Sequence, residues 1–156
     1  MNTLTFRNAN ENDIPLILTM IRELAAYENL LHEVKADEDT LRYNLFERRM
    51  AEVIFPVLDG KEIGFALLFH NFSTFLGKPG IYIEDLYIRE EYRHGGYGKA
   101  MIELIKEIAR ERECGRVEWW CLDSNTPSIR FYKNIGAEAM TDWTVYRLSE
   151  DSMYSE

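Results

Sequence analysis

The stretch Arg93-His94-Gly95-Gly96-Tyr97-Gly98-Lys99 sets three glycines between two basic side chains. Such a segment can hold an anion if a strand precedes it and a helix follows. Before it, Ile81, Ile83 and Asp85 alternate with Tyr82, Glu84 and Leu86, which is the period of a strand. After it, Met101, Ile102, Ile105, Ile108 and Ala109 recur at helical spacing. Backbone N–H groups at the start of that helix face outward, and the aligned peptide dipoles favour negative charge there. Glycine matters because a Cβ would keep a bulky diphosphate from those N–H groups. The expected device is a pyrophosphate cradle, with Arg93 and Lys99 adding charge on either side. Two familiar cradles do not fit. A P-loop needs a glycine where Arg93 stands and a Ser or Thr where Ala100 stands. The dinucleotide fingerprint needs a third glycine where Met101 stands.

The rest of the chain must position this segment. Residues 4–7 read as an opening strand, and Asn10 to Asp13 before Pro15 as a helix start. Ile14, Ile17, Leu18, Ile21, Leu24 and Ala25 then give one apolar face, so a helix runs to Tyr27 or Glu28. Residues 37–49 give a second helix. Residues 51–58 and 62–72 are β-rich runs around Asp59-Gly60, a strong two-residue hairpin signal. Past the central helix, 116–122 reads as a strand and Thr126-Pro127 starts a short helix ended by Gly136. Residues 137–140 and 143–148 are expected to close the chain as a strand pair, with a frayed tail over 149–156. The sum is one α/β domain over 1–156, its mixed, largely antiparallel sheet of about seven strands flanked by four helices.

Composition narrows the partners. The chain has 156 residues, 46% of them hydrophobic and 13% aromatic, which suits one folded domain with its own core. A net charge of −9 argues against nucleic acid or an anionic membrane as the main partner and suits a cationic small molecule. His32, His70 and His94 are scattered and the two cysteines, Cys114 and Cys121, lack metal-ligand spacing, so no metal is expected. The two thiols are expected to stay reduced, and neither an apolar run of membrane-spanning length nor a signal pattern is present. The expected location is the cytoplasm.

Arg-x-x-Gly-x-Gly, here Arg93, Gly96 and Gly98, resembles the acetyl-CoA signature of the GCN5-related N-acetyltransferase (GNAT) superfamily. Three further segments resemble the same superfamily in the same order: Arg7-Asn8-Ala9 through Asp13, Tyr82 through Ile88, and Asn125 through Ala137. The nearest branch is that of the spermidine/spermine and thialysine N-acetyltransferases. It shares Ala26-Tyr27-Glu28, Gly77-Lys78 before the central strand, and Asn125-x-Pro127-Ser128-Ile129-x-Phe131-Tyr132-Lys133. The resemblance implies the GNAT fold, acetyl-CoA as co-substrate, and a homodimer joined through the terminal strands. It also implies a cofactor site of Leu86, Tyr87, Ile88, Arg93, His94, Gly95, Gly96, Tyr97, Gly98, Lys99, Asn125, Ser128 and Tyr132. Backbone groups of Leu86 to Ile88 would meet the pantetheine amides as a pseudo-strand.

Acetyl transfer to an amine needs the nitrogen neutral, yet a lysine-like amine has a pKa of ~10.4. Glu84, on the strand before the loop, is the candidate base, and its other reading is a solvent-facing or cation-binding strand residue. In a regular strand Glu84 and Asp85 point to opposite faces. The departing thiolate needs a proton, and the resemblance makes Tyr132 its donor; by spacing alone, Tyr132 reads as a core aromatic. Asn125 reads as a helix cap, a pantetheine contact, or both. Tyr27, Glu28 and Trp119 match positions that line the amine pocket in the polyamine branch, although Tyr27 could simply end a helix and Trp119 could be core.

The chain departs from that branch where Ser73 and Phe75 replace an aspartate and a tryptophan, and where Met140-Thr141-Asp142-Trp143 replaces Glu-Glu-Gly-Trp. Fewer acids suggest a shorter or less charged amine, with Asp142 left to hold one ammonium. The expectation is transfer of acetyl to a small polyamine-like or amino-acid-like primary amine, by direct attack in a ternary complex. Acetylation of a protein N-terminus or lysine, and a non-catalytic acyl-CoA sensor, are the alternatives.

Overall fold

In the computed structural model, which describes residues 3–156, the alternating runs become six strands: β1 (Leu4–Asn8), β2 (Glu52–Leu58), β3 (Lys61–Glu62), β4 (Gly64–Ser73), β5 (Lys78–Ile88) and β6 (Val117–Trp119). They form one sheet in the order β1-β2-β4-β5-β6, with β3 paired to β2. Every pairing is antiparallel except β5 with β6. The parallel step is forced by the connection. Chain leaving β5 through a helix returns to the same end of the sheet and so enters β6 in the same direction. Asp59 and Gly60 both take positive φ, 49° and 83°, as the tight turn between Leu58 and Lys61 requires.

Five helices accompany the sheet: α1 (Ile14–Tyr27), α2 (Glu38–Leu41), α3 (Tyr97–Glu111), α4 (Thr126–Asn134) and α5 (Glu150–Tyr154). The first begins behind a reciprocal cap, in which Asn10 accepts from the Asn12 N–H and Asp13 accepts from the Asn10 N–H. Asp13 is also held by both terminal nitrogens of Arg7 at 2.8 Å, and Arg7 reaches Glu62 at 2.7 Å, so β1, the start of α1 and β3 share one ionic knot. On α1, Ile17 and Met20 are fully buried in a cluster with Leu45, Val53, Phe55, Phe65 and Tyr87. On α3, Met101, Ile102, Ile105 and Ala109 are buried.

The chain divides into two compact units, Met1–Trp120 and Cys121–Glu156. The first carries the sheet, α1, α2 and α3. The second carries α4, α5 and the segments around them. Among the described residues, no helix is long and apolar enough to cross a membrane.

Four local expectations are corrected. The helix expected over 37–49 is the short α2 followed by a π-helical turn over Arg42–Glu47. The strand expected over 116–122 is confined to Val117–Trp119. The strand pair expected over 137–140 and 143–148 does not form, so the described residues contain six strands rather than about seven. A strand exists only where a neighbour takes its N–H and C=O groups, and here Trp143 is 74% and Tyr146 92% exposed. The expected frayed tail instead forms α5, capped by Ser149 accepting from the Ser152 N–H, which makes five α-helices among the described residues rather than four.

Candidate active site

The central strand is not regular. Against β4, Asp85 faces Leu67 and Ile83 faces the next residue, Leu68, so Glu84 is an extra residue with no partner in the ladder. On β4, Phe65, Leu67 and Phe69 share one face, while Ala66, Leu68 and His70 share the other. Paired residues share a face. Tyr87, Asp85 and Tyr82 therefore stand with the first set, and Leu86, Ile83 and Ile81 with the second. Strict alternation would have put Asp85 with Ile81 and Ile83. The bulge moves it to the opposite face, beside the cluster of Phe65, Leu67 and Tyr87 against which α1 packs.

That displacement sets the electrostatics. Burial, then the charge of Glu84, then that of Glu28, push the Asp85 carboxyl up to about 7. Burial also raises Glu28, the residue after α1. Glu84 itself is exposed. The charges of Glu84 and Glu28 thus both bear on the buried carboxyl of Asp85. Sequence reasoning singled out Glu28 and Glu84 and gave Asp85 no role. The available signal was two adjacent acids in an apolar strand, but the bulge that makes the second one matter is invisible without the partner strand. Tyr82 is held protonated by burial and by Glu84 and Glu118. Its ring meets Phe69 at 4.9 Å and Trp120 at 6.0 Å between centroids. Trp119 pairs with Ile83, so Trp120, which was not anticipated, is the tryptophan packed against the Tyr82 face. Beside Glu28, residues Ala26, Asn29, Leu31 and His32 line an open cleft of about 580 Å³.

The glycine segment follows directly. After Ile88 the chain makes a single helical turn over Glu90–Tyr92, and α3 begins at Tyr97. Gly96 has φ +81°, a left-handed conformation that spares only glycine a steric penalty, and a Cβ there would meet nothing within 4 Å. A Cβ at Gly98 would also project into open space. The first ladder bond of α3 runs from the Ala100 N–H to the Gly96 carbonyl at 3.0 Å. The N–H groups of Tyr97, Gly98 and Lys99 thus lie outside the helical ladder, at the end of a four-turn helix. His94 and Lys99 are exposed beside them. The open face and the N–H array fit a diphosphate.

Arg93 points elsewhere. Its Nε donates to the Ile88 carbonyl at 3.0 Å, and its guanidinium lies 4.3 Å from the Tyr27 ring centroid and 5.9 Å from that of Tyr87. Tyr87 in turn donates to Glu23 at 3.1 Å, and Arg89 binds both oxygens of Glu23 at 3.0 and 3.1 Å. The last turns of α1 are thereby fastened to the end of β5.

The remaining candidates lie in the second unit. Asn125 caps α4, its Oδ1 accepting from the Ser128 N–H at 3.3 Å, with Pro127 in the first turn. Tyr132 lies on α4 with its ring 5.5 Å from that of Phe131. Asp142 is exposed in a turn.

A bulged strand that runs through a glycine turn into an open helix N-terminus, within a mixed sheet, defines the α/β architecture of this protein. The family model described as "Acetyltransferase (GNAT) family" matches residues 18–137, and the chain belongs to that family. It is therefore an acetyltransferase by family. It is 33% identical to the thialysine N-epsilon-acetyltransferase of Sus scrofa, over 98% of this chain and 96% of that one. It is 30% identical to the L-ornithine N5-acetyltransferase NATA1 of Arabidopsis thaliana, over 94% and 85%. Among solved structures, an integron cassette protein from the mobile metagenome of V. cholerae superposes with a TM-score of 0.80 at 25% identity, covering 96% of this chain and 94% of that one.

Proposed function

We propose that the chain is a single acetyltransferase domain that transfers acetyl from acetyl-CoA to the terminal primary amine of a small amino-acid-like or polyamine-like substrate. The observation that carries this reading is the continuity of β5, in which the Glu84 bulge leads within a dozen residues to the open N-terminus of α3. The family match extends from the first unit into the second, which supports one working domain. The two relatives named above act on ω-amines of amino acids, and this supports the substrate class.

Acetyl-CoA supplies an activated acyl group as a thioester. The glycine segment Gly95, Gly96, Tyr97, Gly98 and Lys99, with His94 beside it, would hold its pyrophosphate, and the strand end Leu86, Tyr87 and Ile88 its pantetheine. Asn125 and Ser128, at the α4 start, would meet the same arm. On the amine side, Glu28, Glu84 and Asp142 supply negative charge for an ammonium, and Tyr27 and Trp119 the surrounding surface. Glu84, coupled to the raised Asp85, accepts the ammonium proton so that the nitrogen can attack directly. The Tyr132 phenol returns a proton to the departing thiolate.

The reading includes a cytoplasmic homodimer that binds neither nucleic acid nor membrane. The exposed Trp143, Val145, Tyr146 and Leu148 are the apolar surface a second copy would cover. The deciding experiment is CoA release from acetyl-CoA against thialysine, ornithine, lysine, putrescine, spermidine and an N-terminal peptide. Turnover on one of the small amines is expected. Turnover on the peptide alone, or tight CoA binding without turnover on any, overturns the substrate class or the enzyme reading respectively.

A further inference from the structure

Arg93 opens the glycine signature, and charge alone would assign it to the phosphates. The geometry spends it differently. Its Nε is bonded to the carbonyl that ends β5, and its planar head stacks on the ring of Tyr27, the last residue of α1. Tyr87 lies beneath the same guanidinium and is anchored to α1 through Glu23. One side chain therefore touches the strand end, the start of the loop and the helix end that carries Glu28.

We infer that Arg93 is a positioning residue whose stack on Tyr27 couples the cofactor loop to the amine-side end of α1. The inference rests on the acetyl-CoA reading above. Ordering the glycine loop around a diphosphate fixes Arg93, which fixes Tyr27 and, through it, the neighbouring Glu28. Linkage makes the effect reciprocal, so an amine held at Glu28 favours the loop conformation that binds CoA. Tyr27 is 52% exposed, so the stack is a surface cation–π contact, and the coupling should be modest, about two- to fivefold in affinity.

The test uses the full chain labelled with 3-fluorotyrosine, the Tyr27 signal being the one lost in Tyr27→Phe. CoA is titrated by calorimetry and by fluorine NMR into wild type, Arg93→Ala, Arg93→Lys, Tyr27→Ala and the double alanine variant. Expected are a Tyr27 signal that moves as CoA saturates wild type but not Arg93→Ala, and equal two- to fivefold losses of CoA affinity in the two single alanine variants. The double variant should lose no more than either single one. Arg93→Lys should behave as Arg93→Ala, since lysine keeps the charge and loses the planar stack. A Tyr27 signal that ignores CoA, or that still moves in Arg93→Ala, overturns the coupling. So does a tenfold or greater loss in Arg93→Ala with none in Tyr27→Ala, the pattern of a direct phosphate ligand. Tyr27→Ala, at an exposed position, keeps the test readable if Arg93 variants fold poorly. Absence of CoA binding by wild type is a separate result and overturns the acetyl-CoA reading itself.

Discussion

Asp85 stands opposite Leu67 because Glu84, the residue before it, has no partner in the ladder. The extra residue carries the carboxyl of Asp85 onto the apolar face packed by α1, and burial raises it from an ordinary 3.8 to about 7. In the unfolded chain the same group ionises near its ordinary value, so between roughly pH 4 and pH 7 the native state binds more protons. Stability therefore falls as pH rises through that window, by an amount on the order of 4 kcal/mol. Asp85→Asn removes the penalty, so its melting temperature should exceed that of wild type at pH 8 and match it at pH 4. An offset that is the same at both values refutes the burial argument. In turnover, Glu84→Gln should lower kcat by ~10²-fold or more, while Asp85→Asn should remove an acidic limb near pH 7 from the rate profile.

At Gly98 the requirements of folding and of binding part company. The residue sits in the first turn of α3, and a Cβ there would meet nothing. Gly98→Ala should therefore stabilise the fold by about 0.5–1 kcal/mol through helix propensity. The same methyl group projects toward the face where a diphosphate would lie, so CoA affinity should fall. Calorimetry with CoA and a thermal melt on one sample read both effects. A variant that melts higher and binds CoA as wild type does would place the diphosphate elsewhere.

The Arg7 knot predicts an acid-side effect of opposite sign. Arg7 and the Asn10 N–H hold Asp13 below its ordinary 3.8, and Arg7 likewise lowers Glu62. A depressed native value stabilises above the unfolded pKa and is lost as pH falls through the native one. Asp13→Asn should thus destabilise at pH 7 by roughly 1–3 kcal/mol, since Arg7 loses a bidentate partner and a helix cap is weakened. Melts of wild type and variant should converge as the pH falls below the carboxyl's ordinary 3.8 and through its depressed native value. A gap unchanged at low pH would mean that packing, not charge, holds the knot.

How much of this was legible depends on how local each cause is. The glycine turn, the 3.6-residue stripe on α3 and the Asp59-Gly60 hairpin are written within a few residues each, and all three stand as read. The bulge is not local. Nothing in Tyr82 through Leu86 marks a register shift that exists only against β4, so Asp85 was read onto the wrong face. Likewise 143–148 has the composition of a strand, but strand formation needs a partner backbone that sequence order does not supply. Arg93 is a third kind of case. Its charge says nothing of the ring it rests on, which lies 66 positions earlier in the chain, at Tyr27.

Tyr132 offers the sharpest separation of chemistry from binding. It lies on α4, whose start is fixed by the Asn125 cap and Pro127, and its ring is next to that of Phe131. Removing one hydroxyl leaves the ring and the helix in place. If the phenol protonates the departing thiolate, Tyr132→Phe should lower kcat by ~10²-fold or more while CoA affinity holds. The loss should also shrink when the leaving thiol is made more acidic, because a better leaving group needs its proton less. The measurement is therefore a pair of rates, acetyl-CoA against an acetyl thioester of a lower-pKa thiol, in wild type and variant. Equal losses on both donors would mean that the hydroxyl positions a substrate and does not deliver the proton.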